Sequence, residues 1–482
     1  MYCMKRFSFL AAFFCACYYL FSQTIHIKDT VQGVDDPPLQ GLITNAETDD
    51  AKMQWWLDDK FGLFLHFGVY SIGHDGNGKP QKSNEHYMFY TQTPIAEYSR
   101  RAAHLTLEDY NPDAWVKMAK DAGMKYVVIT AKHHDGFAMY NSAANDFNIV
   151  KKSTYGKDPM VPLAAACKKY GLKMCFYYSL GRDWESPNSV GDREGTKAGN
   201  TWDYPDLSKK DNQKYIDEKV KPQLKELLTQ YGPVGLIWFD TPENINKTQS
   251  EDLRKYILSF QPDCIINSRV GNGLGDYTVS EQAIAPQTDL KPWEACITMG
   301  RNWGYSIFDK KYKTPEQLVR FLAEIVCKGG NMLLNVGPTS KGDFQPQAIN
   351  NLKAISAWMK VNKDAIYGTR PWTLLNEYAS NTPTDVAMKD VMGKSEADFT
   401  SKGTEPDLYF NQKGKTVYMF ARSWKESKIV SQNLASISKI KSISLLGSNK
   451  KISWKSENGA VAITMPSLQK SDVPVYVFKI EQ

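Results

Sequence analysis

Three amphipathic stretches end at a glycine and hand over within three residues to a short apolar run: Ala122-Gly123-Met124-Lys125, Tyr170-Gly171-Leu172-Lys173 and Tyr231-Gly232-Pro233-Val234. Glycine closes a helix by taking the left-handed conformation that stops further turns. A short apolar run bounded by such turns reads as a buried strand. Runs at 61–69, 126–130, 173–178, 234–240 and 264–267 have that character, and amphipathic stretches at 112–122, 161–170, 212–231, 250–260 and 315–328 alternate with them as helices. This repetition predicts right-handed βα units around a parallel sheet. The span from residue 50 to 370 suits an α/β chain folded as a (β/α)8-like TIM barrel with insertions. No Gly-x-Gly-x-x-Gly turn or phosphate loop opens any of these helices, which weakens a nucleotide-binding sheet.

The texture changes after Arg370-Pro371-Trp372. Short β-rich runs at 416–422, 440–446, 451–454, 460–465 and 474–480, split by Gly, Asn, Ser and Lys, predict a small C-terminal antiparallel β-sandwich. Residues 185–208, rich in Gly, Asn, Asp and Pro, read as a long loop on the barrel. At the other end, Lys5 and Arg6 precede an apolar run at 7–21, the pattern of a secretory signal peptide. The expected division is a signal peptide at 1–23, the barrel domain at 24–372 and the β-sandwich at 373–482, with the mature chain exported to a periplasm or secreted. A lipid on Cys17 would tether it, but no convincing small-residue site precedes that cysteine. No later stretch reaches the roughly 18 apolar residues of a transmembrane segment. Cys3, Cys15 and Cys17 leave with the leader; Cys167, Cys175, Cys264, Cys296 and Cys327 form no Cys-x-x-Cys pair and are expected as buried free thiols. The formal charge of +6 falls to +4 on loss of Lys5 and Arg6, and the lysines form no stripe, so no nucleic acid partner is expected.

Val234-Gly235-Leu236-Ile237-Trp238-Phe239-Asp240 is an apolar run that ends in a carboxylate. Helices wrap a parallel barrel strand, so a charge is tolerated at the rim, where barrel enzymes gather catalytic side chains. A helix cap or an arginine pair is the plainer explanation. All seven histidines fall at or before residue 134, and His66, His86, His133 and His134 lie in segments that read as strand ends. Adjacent histidines on a strand face opposite ways, and no His-Glu-x-x-His helix or cysteine pair completes a ligand set, so no metal is expected. Backbone-satisfied core histidines would account for any one of the four; imidazoles bonded to a polyhydroxylated ligand account better for the group. Tyr70, Tyr87, Tyr177, Tyr178, Trp184, Trp238, Trp293 and Trp303 cluster with them. Several must be core, yet aromatic rings beside His, Arg and carboxylates suit a sugar, which has an apolar C–H face and a rim of hydroxyls. A retaining glycosidase needs two carboxyl groups roughly 5–5.5 Å apart. Asp240 supplies one, and Glu281, Glu294 and Glu85 are the candidates for the other.

Lys60-Phe61-Gly62-Leu63-Phe64-Leu65-His66-Phe67-Gly68-Val69-Tyr70-Ser71, Lys132-His133-His134-Asp135-Gly136-Phe137, Tyr177-Tyr178-Ser179, Trp238-Phe239-Asp240 and Asn331-Met332-Leu333-Leu334-Asn335-Val336-Gly337-Pro338, in that order, resemble the retaining alpha-L-fucosidase family of glycoside hydrolases. The resemblance spans residues 50–372 and implies a catalytic barrel followed by a β-sandwich. It implies Asp240 as the nucleophile that attacks the anomeric carbon of fucose, and His66, His133 and His134 as the residues that hold the fucose hydroxyls. Tyr178 and Arg269 would line the same pocket, with Trp238 beside the nucleophile; Glu281 matches the general acid/base, and Glu294 is the alternative. Many members have Glu-Trp-Tyr where this chain has Glu85-His86-Tyr87, an imidazole in place of an indole. Glu85 is kept, and its charge is expected to help raise the pKa of the acid/base. The resemblance thus implies an exo-acting alpha-L-fucosidase that cleaves terminal fucose from a glycan or oligosaccharide with retention, without metal or organic cofactor. Two rivals stand beside it: a retaining glycosidase for a related sugar such as alpha-L-galactose, and a catalytically inactive carbohydrate-binding protein.

Overall fold

The computed structural model describes residues 51–75, 77–191, 199–284, 291–377, 407–422, 428–464 and 474–482. The signal peptide expected at 1–23 lies outside them, as do residues 192–198 of the expected long loop. Eight strands form one parallel sheet: β1 Phe61–Leu65, β2 Tyr126–Lys132, β3 Lys173–Ser179, β4 Val234–Asp240, β5 Ile265–Ile266, β6 Thr278–Glu281, β7 Trp293–Thr298 and β8 Asn331–Val336. Their order is β5-β4-β3-β2-β1-β8-β7-β6, so the sheet curls round until β5 and β6 come together at an isolated parallel bridge between Asn267 and Tyr277. Gly123, Gly171 and Gly232 have φ of 89°, 71° and 81°, the left-handed turns that stop each helix ahead of its strand.

The main helices Pro112–Asp121, Met160–Tyr170, Lys221–Gln230, Lys247–Phe260, Pro315–Cys327 and Pro346–Asn362 follow β1, β2, β3, β4, β7 and β8. Among the described residues no α-helix follows β5 or β6, only a 3-10 turn at Ser268–Val270 after β5, so the barrel is (β/α)8-like with part of its outer helical wall left out. The helix expected at 212–231 is interrupted by a π turn at Ile216–Val220. Pro222 explains it: a proline cannot donate to the preceding turn and its ring crowds that turn's carbonyl, and one wide turn relieves both. Within β4, Leu236 and Trp238 face the barrel interior with Tyr126, Tyr177, Cys296 and Leu333, while Ile237 and Phe239 face the helices. Strand parity then sends the side chain of Asp240 inward at the rim.

The C-terminal part is two antiparallel sheets, β13-β16-β11-β10-β9 and β12-β15-β14, built from β9 Arg370–Glu377, β10 Leu408–Lys413, β11 Thr416–Ala421, β12 Lys428–Ser431, β13 Ser442–Leu445, β14 Ser453–Glu457, β15 Ala460–Thr464 and β16 Tyr476–Glu481. Phe410, Met419 and Phe478 of one sheet and Val461 and Ile463 of the other share a core, which makes a sandwich. It is pinned to the barrel's helices: the Tyr409 hydroxyl donates to Glu324 at 3.0 Å and Trp358 Nε1 donates to the Val475 carbonyl at 2.9 Å. Cys167, Cys175, Cys264, Cys296 and Cys327 are free and buried. No helix of the described residues is long and apolar enough to cross a membrane.

Candidate active site

The C-terminal ends of the strands open into a pocket lined by charged and aromatic side chains. Asp240, Glu281, His66, Glu85, His133, His134, Trp238 and Arg269 line it, and Phe64, His86, Tyr177, Arg182, Thr241, Glu243 and Trp303 complete the wall.

Asp240 ends β4. Arg269 Nη1 donates to its Oδ1 at 2.8 Å, the Thr241 amide to the same oxygen at 2.9 Å, and the Tyr177 hydroxyl to Oδ2 at 2.7 Å. Burial opposes ionisation, but the Arg269 charge and the Tyr177 hydrogen bond outweigh it and hold the carboxyl below the ordinary aspartate value. Thr241 turns the chain at φ 54°, and its carbonyl accepts from the Gly181 amide at 2.8 Å. A Cβ on Gly181 would lie 2.2 Å from that carbonyl oxygen, so only glycine lets the loop after β3 brace the turn that carries the carboxylate.

Arg269 sits just after β5, and its other terminal nitrogen, Nη2, donates to Glu281 Oε2 at 2.7 Å. One guanidinium links both carboxylates, so they stand no further apart than two hydrogen bonds and the width of a planar fork. Its Cζ lies over the Trp238 ring, 5.1 Å from the centroid. Burial raises the pKa of Glu281 above the ordinary glutamate value; the Arg269 charge opposes that shift and the Asp240 charge reinforces it. The two carboxyl groups are thus pushed in opposite directions while sharing one cation, the pattern that divides acid from nucleophile.

The histidines are held as neutral acceptors. The Trp303 carbonyl takes Asn335 Nδ2 at 2.7 Å, which leaves Asn335 Oδ1 to accept from His66 Nδ1 at 2.7 Å and makes His66 Nε2 a lone-pair acceptor. Burial brings the His66 pKa down to about 4. Ser179 Oγ donates to the Arg182 carbonyl at 2.8 Å and accepts from His134 Nδ1 at 2.6 Å, giving the same tautomer. His134 Nε2 lies 3.7 Å from Asp240 Oδ2, and burial keeps the imidazole uncharged. His134 Nε2 therefore offers a lone pair to a ligand hydroxyl beside the Asp240 carboxylate. His133 stacks on Tyr177, with centroids 5.2 Å apart and planes 8° from parallel. On a pleated strand His133 and His134 would face opposite ways; β2 ends at Lys132, so the pair lies beyond the pleat and both rings enter the pocket.

Three expectations are corrected. Tyr178 does not line the pocket: its hydroxyl donates to Gln223 Oε1 at 2.7 Å on the helix side of the sheet, and strand parity gives the inward place to Tyr177. Glu294 is absent from the pocket as well. It pairs with Val279 across β6 and β7, whereas Glu281 pairs with Cys296, two residues nearer the rim. The Glu294 carboxyl accepts from the Tyr126 hydroxyl at 2.6 Å and Trp238 Nε1 at 2.9 Å inside the barrel. Glu85 lines the pocket, but the carboxylate that raises the pKa of Glu281 is Asp240. The oxygens of Glu85 meet the Gly304 amide at 3.1 Å and His86 Nδ1 at 3.7 Å. Burial works against the Glu85 charge, yet His86 and the amides hold its pKa below the ordinary glutamate value, and the charge acts on His66. Sequence reasoning placed Tyr177 and Trp303 only within the general aromatic cluster and did not single out Arg182 or Glu243. Tyr177 pairs with Trp238 in the register of β3 and β4, so an inward Trp238 implies an inward Tyr177.

Glu294 gives a stability test. Burial raises its pKa from 4.5 to about 7, so this carboxyl binds its proton more tightly folded than unfolded. The stability it contributes is full below pH 4.5 and is lost as pH rises through about 7, an amount of about 3 kcal/mol. Urea unfolding at pH 5 and pH 7.5 should show wild type losing stability over this window, with Glu294→Gln losing distinctly less. Equal slopes for the two proteins would contradict the assignment.

A helix-wrapped barrel with two carboxyl groups and an aromatic-lined pocket at the C-terminal ends of its strands has the build of a glycoside hydrolase. Comparison with known proteins narrows that class. Residues 41–364 match the family model described as Alpha-L-fucosidase, and residues 401–481 match the Alpha-L-fucosidase C-terminal domain. The chain belongs to the alpha-L-fucosidase family. It is 31% identical to alpha-L-fucosidase isoenzyme 1 from Paenibacillus thiaminolyticus, with a TM-score of 0.74 over 90% of this chain and 99% of that one. It is 34% identical to an alpha-L-fucosidase from Lactobacillus casei solved in complex with alpha-L-fucose product, at a TM-score of 0.61 over 64% of this chain and 98% of that one. The tissue alpha-L-fucosidase of Homo sapiens is 26% identical over 465 residues, 91% of this chain and 90% of its own.

Proposed function

We propose that this protein is an exo-acting alpha-L-fucosidase that removes terminal alpha-L-fucose from glycans with retention of configuration, using Asp240 as nucleophile and Glu281 as general acid/base. The observation that carries the reading is the one guanidinium shared by a carboxylate held ionised and a carboxyl drawn toward its protonated form. In the first step an Asp240 oxygen bonds to the anomeric carbon, the glycosidic C–O bond breaks, and the Glu281 proton passes to the leaving oxygen. The resulting Asp240 ester is neutral, so the charge that reinforced the raised pKa of Glu281 is gone. The Glu281 carboxylate then takes a proton from water, which attacks the anomeric carbon and frees Asp240. Two inversions return the alpha anomer.

The lone pairs of His66 Nε2 and His134 Nε2 suit the hydroxyl donors of the sugar, and the rings of Phe64, Trp238 and Trp303 suit its C–H face and its C5 methyl group. The extra hydroxyl of an alpha-L-galactoside would be poorly matched to that apolar wall, which disfavours the related-sugar rival. The same reading takes residues 24–372 as the catalytic unit, 373–482 as a sandwich that braces it, and 1–23 as a leader removed on export.

The test is the anomer of fucose first released from an aryl alpha-L-fucoside, followed by proton NMR before mutarotation. The alpha anomer is expected; release of the beta anomer would overturn double displacement, and no release while fucose binds would favour a binding protein. Glu281→Ala should lose roughly a hundred- to ten-thousand-fold in kcat/KM on a fucosylated disaccharide, whose leaving group needs the proton, and far less on a nitrophenyl fucoside. With azide present that variant should yield alpha-fucosyl azide. If both substrates suffer alike and no azide adduct forms, Glu281 is not the acid/base.

A further inference from the structure

One aromatic ring at the pocket mouth is left unused by the fucose site. Tyr90 is 70% exposed, and its ring centroid lies 5.7 Å from that of His86, a residue of the pocket wall. His86 lines the same pocket as Glu281, the carboxyl that would protonate the leaving oxygen. A lone exposed aromatic ordinarily calls for no explanation, but the mounting of this one does. Its helix, Tyr87–Thr91, is clamped through its other two large rings. Phe89 stacks on Trp184 at 5.5 Å and 23°, and Arg101 Cζ lies 4.6 Å from the centre of the Tyr87 ring. Gln81 Nε2 donates to the Tyr87 hydroxyl at 2.8 Å, closing the second clamp. Tyr90 is therefore presented to solvent by a fixed support, one ring outward from the pocket wall.

We propose that Tyr90, backed by His86, is the platform for the sugar that fucose leaves: a neutral pyranose of the glycan, laid with its C–H face on the tyrosine ring. The proposal rests on the fucosidase reading of the pocket. The phenol face is an uncharged π surface, and a pyranose turns axial C–H bonds to one side and hydroxyls to its rim, so stacking buries apolar area without stranding polar groups. Fucose itself occupies the enclosed pocket that Tyr90 does not line, so the ring discriminates among leaving groups and leaves recognition of fucose to the histidines.

Two substrates separate the roles. Alpha-L-fucosyl fluoride has a one-atom leaving group that cannot reach Tyr90, whereas alpha-L-fucosyl-N-acetylglucosamine, in the positional isomer that wild type cleaves fastest, places a pyranose beyond the glycosidic oxygen. Tyr90→Ala should lower kcat/KM on the disaccharide by roughly three- to tenfold and change it much less on the fluoride, and Tyr90→Phe, which keeps the ring, should restore the disaccharide value. An unchanged disaccharide rate in Tyr90→Ala, equal losses on both substrates, or a Phe variant as poor as the Ala variant would each overturn the platform and leave the fucosidase reading standing. A wild type inert toward the fluoride would overturn that reading, and the platform with it.

Discussion

Asp240→Gly loses at least roughly ten-thousand-fold in kcat/KM toward an aryl alpha-L-fucoside, as removal of a covalent nucleophile does, and added azide restores turnover with beta-fucosyl azide as product. The expectation follows from what the substitution leaves behind. The Arg269 guanidinium, the Thr241 amide and the Tyr177 hydroxyl, which together hold the carboxylate, remain as a set of donors round an empty place. A small anion can occupy that place and attack the anomeric carbon from the side Asp240 would use, and with no second displacement the product is inverted. The fold should survive, because Arg269 keeps Glu281 as its partner and no buried cation is stranded. Product analysis by NMR and thermal unfolding of the variant check both halves. A variant within tenfold of wild type, or one that loses stability instead of activity, would return Asp240 to the plainer part of an arginine-paired structural carboxylate.

What could be read before the structure was whatever is written locally. The three glycine stops and the run into Asp240 are local signals, and they placed β2, β3, β4 and the helices ahead of them. The strands β6, β7 and β8 and the helix Pro346–Asn362 went unread because their composition is mixed for reasons that arise only in three dimensions. Thr278–Glu281 is a short rim strand that carries two polar residues and a carboxyl. Trp293–Thr298 hides a glutamate inside the barrel, where Tyr126 and Trp238 satisfy it from other strands. Asn351 and Asn362 are buried in the final helix, Asn351 bonded to the Lys313 carbonyl from a distant loop. The confusion of Tyr178 with Tyr177 has a related cause: β3 is buried on both faces, so no alternation of polar and apolar residues marks which tyrosine faces in. The histidine pair carried the opposite trap, a parity rule applied one residue beyond the end of the strand. Arg182 and Glu243, whose 2.9 Å ion pair joins the loops after β3 and β4, could be matched only once those loops were seen side by side.

Arg269→Met should cost roughly a hundred- to a thousand-fold in kcat/KM and move both limbs of its pH profile to higher pH. In the folded protein the Arg269 charge is the largest influence drawing the Asp240 pKa down; without it burial dominates, and a higher pH is needed to ionise the nucleophile, so the acid limb rises. The same charge opposes the burial that raises Glu281, so its loss lets that carboxyl hold its proton to higher pH and the alkaline limb rises too. Arg269→Lys tells charge from geometry. An ammonium keeps the positive charge but is a compact point donor, and it cannot serve two carboxylates as the ends of a planar fork do. It should lose rate while the limbs stay near their wild-type positions. Because the methionine variant leaves two buried carboxylates without their cation, a loss of about 3–5 kcal/mol in stability is also expected, so the profile is best recorded well below its unfolding temperature. Limbs that stay put in Arg269→Met, or move to lower pH, would mean that something other than this guanidinium sets the two protonation states. If the methionine profile shifts upward and the lysine profile does not, the division of labour between Asp240 and Glu281 is traced to a single side chain in the short 3-10 turn that follows β5.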